Sequence, residues 1–192
     1  MGTDFQSKRL CIRDMTAKDY DQWKIAQDSM LPAQNEFDDG PVKAPDRSRS
    51  FFRSMLLRRG RMTKSGLGVF LGVFDRKSGD YLGELHFALP IRRNIQSTRI
   101  SYFICNHRWR NGYGLELLKA ATAFGINKMQ FNRIEAEIQP LNGPSIDLAI
   151  KAGYRFECIR KEAVFFERKW HDMNVYVALA SDLGIRNRRP KF

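Results

Sequence analysis

The spacing of apolar and polar positions changes several times along the chain, and each change marks an element. Leu10-Cys11-Ile12 is short and apolar, the length of a strand. Thr16 precedes Tyr20, Trp23 and Ile25, and Asp19 stands three residues on from it, the pattern of an N-cap opening a helix. Gly40-Pro41 and Pro45 break the chain, and a second helix is expected from about Asp46. There Phe51/Met55 and Phe52/Leu56 pair four residues apart, while arginines take the opposite face. Three extended runs follow: Gly68 to Phe74, Tyr81 to Leu89 ended by Pro90, and Arg99 to Ile104. The first two are joined by a hairpin turn at Asp75-Arg76-Lys77-Ser78-Gly79-Asp80. A long helix is expected after Gly112, to about Met129, with Leu115, Leu118 and Thr122 on one side and Leu117, Ala121 and Phe124 on another. So broad an apolar face suits burial in the middle of a fold. Ile134 to Gln139 reads as a strand. Pro144 suits the first turn of a short helix, which Gly153 closes in the left-handed conformation. Two final strands, Phe156–Phe166 and Trp170–Leu179, flank a turn at Glu167-Arg168-Lys169. The order β-α-α-β-β-β-α-β-α-β-β describes a mixed α/β domain with a mostly antiparallel sheet and flanking helices.

Composition narrows the class. A chain of 192 residues with 43% hydrophobic positions suits one domain, taken as residues 1–183 and followed by a basic tail at 184–192. No run of about 18 apolar residues is present, so no membrane span is expected. Met1-Gly2-Thr3-Asp4-Phe5 has neither the basic region nor the apolar run of a secretory signal. Cys11, Cys105 and Cys158 are odd in number and widely spaced, which argues against a disulfide framework and makes a cytoplasmic protein the expectation. His86, His107 and His171 lack the paired spacing of a zinc site, so no metal is expected. A formal charge of +12 favours acidic partners such as a nucleotide phosphate, RNA or a carboxylate-rich peptide. Much of it is local: Arg47, Arg49, Arg53, Arg58, Arg59, Arg61 and Lys64 crowd one segment, and Arg186, Arg188, Arg189 and Lys191 crowd the tail. Each cluster has an alternative reading, as a solvated helix face or a disordered tail.

One segment carries recognisable chemistry: a strand over Ile100–Ile104, then Arg110-Asn111-Gly112-Tyr113-Gly114, then a helix from Leu115. Glycine lets backbone approach a ligand, a helix start offers unpaired N–H groups to anions, and Arg110 can add a charge-assisted bond to phosphate. A pyrophosphate suits such a loop, although Gly-x-Gly also makes ordinary strand-to-helix turns. Lys119 stands where a dinucleotide fingerprint would want glycine, and no Gly-Lys-Ser/Thr ending is present.

Order and spacing add a resemblance. Lys8-Arg9-Leu10-Cys11-Ile12-Arg13 is similar to an Arg-Leu-x-Leu-Arg opening strand. It is followed by Ile100-Ser101-Tyr102-Phe103-Ile104, Trp109-Arg110-Asn111-Gly112-Tyr113-Gly114-Leu115-Glu116 and Asn132-Arg133-Ile134-Glu135-Ala136. Pro140-Leu141-Asn142-Gly143-Pro144-Ser145, Ala152-Gly153-Tyr154 and Trp170-His171-Asp172 complete the series. The whole chain thereby resembles the GNAT acetyltransferase superfamily, specifically its ribosomal-protein N-terminal (alanine/serine) acetyltransferase branch. Two positions depart from the pattern. The superfamily's loop is Gln/Arg-x-x-Gly-x-Gly/Ala, and here Arg110 stands only two residues before Gly112, one residue short. The superfamily's tyrosine acid, seven residues after the equivalent of Asn142, is Ala149.

The resemblance implies acetyl-CoA as co-substrate and direct attack of a neutral amine on its thioester. Arg110, Asn111, Gly112, Tyr113, Gly114 and Leu115 would hold the pyrophosphate. The sheet would splay beside Ile104, so that Ile104 and Cys105 lie along the pantetheine and backbone N–H groups meet the carbonyl oxygen. Asn142 and Ser145 would lie across the cofactor arm, Ser145 matching a serine that serves near the sulfur. Glu162 and Glu84 are the two candidates for the base, and each has a structural ion pair as its alternative. Glu135 and Glu137 read as structural, Tyr102 and Trp109 as packing, and Cys105 as a buried strand cysteine. The acceptor implied is the N-terminus of a ribosomal protein, with the basic helix and tail contacting ribosomal RNA, in a monomer or homodimer. The alternatives are a small-molecule amine N-acetyltransferase, for which Asp38 and Asp39 would supply an acidic cleft, and a non-catalytic acyl-CoA- or RNA-binding module on the same fold.

Overall fold

Asp19 decides how the first helix begins. Its carboxylate accepts from the Thr16 N–H at 2.7 Å and from Thr16 Oγ1 at 3.0 Å, and it pairs with Arg13 at 2.7 Å. One side chain thus closes the turn and ties it to the end of strand β2 (Leu10–Arg13). The turn Ala17–Asp19 is a 3-10 helix and α1 (Tyr20–Ser29) continues it. The computed structural model describes residues 3–41, 47–186 and 189–190. The helix start expected near Asp46 lies outside the described residues. The second helix, α2 (Arg49–Lys64), is capped by Ser48, whose Oγ accepts from the Phe51 N–H at 3.2 Å.

The described strands form one eight-stranded sheet. Its order is β1 (Phe5–Gln6), β2, β3 (Gly68–Asp75), β4 (Tyr81–Ile91), β5 (Ser97–Ile104), β6 (Arg133–Ile138), β8 (Lys169–Leu179) and β7 (Arg155–Phe166). Between them fall α3 (Tyr113–Asn127) and α4 (Gly143–Lys151). The mixed, mostly antiparallel α/β architecture expected from the pattern is the one observed, with the short β1 added ahead of it. Strands β5 and β6, which α3 connects, run parallel; the pairs β1/β2, β2/β3, β6/β8 and β7/β8 are antiparallel. Strand β4 does not end at Pro90. It reaches Ile91 past a kink where Leu89 has φ +46°, and a proline is tolerated at such an irregular strand end.

By internal packing the chain divides into two compact units, Met1–Phe87 with Tyr102–Leu117, and Ala88–Ser101 with Leu118–Phe192. The first has an aromatic core: Tyr20, Trp23 and Ala26 of α1, Phe52 of α2, Phe74, Tyr81 and Cys105. Phe52 is fully buried, with ring centroids 5.1 Å from Trp23 and 5.7 Å from Tyr20, whereas Phe51 stays partly exposed and stacks on Trp23. Gly83 is required by close approach: a Cβ there would stand 2.1 Å from the Phe103 carbonyl oxygen.

In the second unit Leu118, Ala121, Ile126, Phe131, Ile134, Ala149 and Val175 are fully buried. Thr122 and Tyr154 share a buried hydroxyl–hydroxyl bond of 2.8 Å. The β5/β6 register runs only from Ser97↔Arg133 to Arg99↔Glu135, although both strands continue beyond it. Gly153, with φ +97°, follows α4 in the left-handed conformation. The last hairpin turns on two residues, Glu167 and Arg168, and Lys169 belongs to β8 rather than to the turn.

Candidate active site

In the first unit the end of β5 leads into a braced loop. The Ile104 carbonyl accepts from Trp109 Nε1 at 2.6 Å, and the Cys105 N–H donates to Leu82 O at 2.8 Å. Trp109 therefore holds the backbone by a hydrogen bond as well as by packing. Burial, with help from the charge of Glu84, pushes the Cys105 thiol up to about 12, so it is neutral and no nucleophile at physiological pH. Asn106 fixes the next turn: its Oδ1 accepts from the Leu31 N–H at 2.7 Å, and its Nδ2 donates to Leu31 O at 2.7 Å and Asp38 at 2.9 Å. Asn111 Nδ2 then bonds back to the carbonyls of Arg108 and Trp109 at 3.1 and 3.0 Å.

Gly112, with φ +76°, brings the chain to the start of α3 at Tyr113. The positions expected to hold the pyrophosphate, Arg110 to Leu115, thus form one continuous turn and helix start. Two side chains in it behave unexpectedly. Arg110 has φ +61° and an exposed side chain with no hydrogen bond or ion pair among the described residues, and Tyr113 turns toward β3, its hydroxyl 3.3 Å from Asp75. The basic residue actually at the loop is Arg9. Its Nη1 donates to Asn111 O at 2.9 Å, and its Nε to Glu116 at 2.7 Å. Only its place in the opening motif marked it in the sequence.

Also in the first unit, Glu84 is only 4% exposed and is held on three sides. Arg59 donates to it at 2.5 Å, Tyr81 Oη at 2.9 Å, and His86 Nε2 lies 2.9 Å away. Burial alone would raise its pKa; the His86 bond and the Arg59 charge outweigh burial and bring it down to about 2. A carboxylate so strongly stabilised as the anion is a poor base. The geometry gives Glu84 the structural ion pair that was its alternative reading.

The second unit holds the other candidates. Asn142 Oδ1 caps α4 by accepting the Ser145 N–H at 3.2 Å, which leaves the half-buried Ser145 side chain in the first turn. Ala149, at the superfamily's tyrosine position, is fully buried, and a phenol there would require repacking. Glu162 lies on β7 within a register shift between Arg160 and Val164, with φ +48° and its N–H donated to Asp172 at 2.9 Å. Its carboxylate is exposed and has no hydrogen bond or ion pair among the described residues. Glu135 and Glu137, by contrast, are held by Arg133, Arg160 and Arg99 as structural groups. Among the described residues no cluster of His, Cys, Asp or Glu could hold a metal ion, and no helix is long and apolar enough to cross a membrane.

Residues 9–155 match the family model described as Acetyltransferase (GNAT) domain, so the chain belongs to the GNAT acetyltransferase family, whose co-substrate is acetyl-CoA. Protein YkkB of Bacillus subtilis (strain 168), uncharacterised, is 32% identical over 111 residues, which make up 55% of this chain and 64% of that one. The match thus spans less than two thirds of that relative. The [Ribosomal protein uS5]-alanine N-acetyltransferase of Escherichia coli (strain K12) is 26% identical over 178 residues, 90% of this chain and 88% of that one. Among solved structures, Mycobacterium smegmatis RimJ in complex with CoA-disulfide shares the fold with a TM-score of 0.75 at 18% identity, over 92% of this chain and 84% of that one.

Proposed function

We propose that this protein moves an acetyl group from acetyl-CoA to the N-terminal α-amino group of a protein, a ribosomal protein in particular. The observation that carries this reading is the match to the uS5-alanine enzyme along 90% of the chain. The loop at Arg110–Leu115 is assigned to the diphosphate of acetyl-CoA. It fits that group in having an accessible helix start, a glycine that keeps the approach open and a guanidinium beside it. Ile104 and Cys105 are assigned to the pantetheine side, and Asn142 and Ser145 to the arm near the sulfur.

Base strength favours an α-amine. Its reference pKa of about 7.7–8.0 leaves roughly a tenth of it neutral at pH 7, hundreds of times more than for lysine at about 10.4. A single exposed carboxylate or a water chain then suffices, and Glu162 is the carboxylate we assign, since Glu84 is committed to Arg59 and His86. Of the two carboxylates that would form an acidic cleft for small polycations, Asp39 is exposed and Asp38 is taken up in its own turn. Asp38 accepts from Asn106 Nδ2 and from the N–H groups of Gln34 and Gly40 at 2.9, 2.9 and 3.0 Å. The outward face of α2 and the tail are read as electrostatic contacts to ribosomal RNA, and a cytoplasmic protein is the setting this implies.

A panel of peptides with free alanine or serine N-termini, run beside spermidine and amino sugars and followed by CoA release, tests the acceptor. Turnover on the peptides is expected, and turnover on small amines alone overturns the reading.

A further inference from the structure

Arg9 lies just ahead of β2 and reaches the start of α3, more than a hundred residues on. Its backbone N–H donates to Glu116 Oε1 at 2.6 Å, its Nε to Glu116 Oε2 at 2.7 Å and its Nη1 to Asn111 O at 2.9 Å. The guanidinium carbon sits 4.5 Å from the centroid of the Tyr113 ring. Ser7 Oγ adds a second donor to Glu116 Oε1 at 2.7 Å. The remaining nitrogen, Nη2, has no hydrogen bond among the described residues, and a Cβ built on Gly112 would stand 3.4 Å from it. The side chain is 41% exposed, and apart from the glycine's own neighbours no other atom lies within 4 Å of that Cβ position, so the space over the glycine beside Nη2 is open.

The electrostatics of the turn explain why a cation is needed. Glu116 occupies the first turn of α3, beside N–H groups that would receive an anion. Burial would raise its pKa, but the Ser7 hydroxyl and the N–H and guanidinium of Arg9 together hold it below the usual carboxylate range, so it is charged. An unpaired carboxylate at that point would repel phosphate. Arg110, the loop's own basic side chain, makes no hydrogen bond there.

We propose that Arg9 is a binding and positioning residue for the phosphate groups of acetyl-CoA. It neutralises Glu116, holds the Asn111 carbonyl so that the turn at Gly112 keeps its shape, and offers Nη2 to the ligand. The proposal rests on the assignment of this loop to the cofactor, and it does not depend on the acceptor, because binding of CoA alone reads it out.

The test is calorimetry with CoA and with dephospho-CoA on the wild type, Arg9→Gln, Arg9→Lys, Arg9→Gln/Glu116→Gln and Gly112→Asp, with KM for acetyl-CoA and kcat measured where an acceptor is known. Arg9→Gln is expected to weaken CoA binding about tenfold and raise KM equally, with kcat at saturation within about twofold, as for a missing charge-assisted bond. The double variant should recover part of the loss by removing the repelling carboxylate, and Arg9→Lys should lie between Gln and wild type. An equal loss with dephospho-CoA assigns Nη2 to the diphosphate, and a loss confined to CoA assigns it to the 3′-phosphate. Unchanged affinity in Arg9→Gln while Gly112→Asp binds weakly overturns the role of Arg9. Unchanged affinity in both overturns the loop assignment. Should Arg9→Gln fail to fold, Arg9→Lys decides: wild-type affinity there, where the fork to Asn111 and Glu116 is broken, overturns the positioning role.

Discussion

Glu84 and Glu162 show how two carboxylates of one chain come to differ in chemistry. Glu84 is buried with Arg59 at 2.5 Å, and its pKa lies near 2. A depressed carboxylate stabilises the fold fully above its ordinary pKa, and that stability is lost as pH falls from about 4.5 toward about 2. Glu84→Gln leaves Arg59 without its anion and should cost roughly 3 kcal/mol at pH 7, since one partner of a buried pair is removed. Denaturant titrations should show the gap between variant and wild type closing over that acid range; a gap independent of pH would contradict the ion-pair account. Glu162→Gln should instead leave stability unchanged and lower kcat mainly below the acceptor's pKa, where most of the amine is protonated, converging with wild type above it. A kcat–pH profile identical to wild type would remove Glu162 from the base role. Ser145→Ala should lose less than about tenfold in kcat, because a thiolate leaves readily without an acid. Glu84 is visible in the sequence as a charged residue within an apolar strand, but its partner is not, because Arg59 falls in the segment whose arginines are expected on the outward face. Its seven-residue offset from the buried Phe52 would have turned it inward, since two helical turns bring a side chain back to the same face.

At the level of elements, the expected boundaries fail where local chemistry contradicts simple apolar patterning. Strand β5 begins at Ser97, two residues before the expected start, because buried Thr98 is satisfied by donating to Ala88 O at 2.9 Å and need not be apolar. The final hairpin contains no Asn-Gly or Asp-Gly, and the turn expected there spans three residues, Glu167-Arg168-Lys169. In the structure Glu167 and Arg168 alone form it, at φ +48° and +64°, the left-handed geometry of a two-residue hairpin turn. Neither residue favours that conformation, which costs an ordinary L-residue roughly 1–2 kcal/mol. Replacing the pair with Asn-Gly should therefore raise stability by about 1 kcal/mol and Tm by roughly 2–4 °C, read by differential scanning calorimetry. An unchanged or lower Tm would show that the turn is held by something other than its own backbone preference. By contrast α4 was legible almost to the residue, since Pro144 and Gly153 carry strict backbone requirements that no packing overrides.

For the whole molecule the charge of +12 was plain in the sequence, but its destination was not, because ion pairs consume cations selectively. Arg9, Arg13, Arg59, Arg133 and Arg160 are all committed to acidic partners. On α2, Arg53, Arg58, Arg61 and Lys64 are exposed and have no acidic partner among the described residues, so that outward face carries four uncompensated positive charges. Of the tail's cations, Arg188 and Lys191 lie outside the described residues. If the α2 face meets ribosomal RNA, every cation withdrawn from a phosphate should flatten the dependence of log affinity on log salt by roughly 0.7–0.9. Reversing Arg53, Arg58 and Lys64 to Glu should then abolish co-sedimentation with ribosomes at moderate salt and leave kcat/KM on a free N-terminal peptide within about twofold, because none of these side chains bonds to the loop or to Glu84 and exposed charges are screened by salt. Deleting 184–192 separates the tail's share by the same salt titration. If ribosome association kept its wild-type affinity and salt slope in both variants, the charge would be a solvated face and the peptide N-terminus would be recognised without RNA. If the reversed helix lowered peptide turnover as much as ribosome binding, α2 would instead belong to the acceptor side of the enzyme.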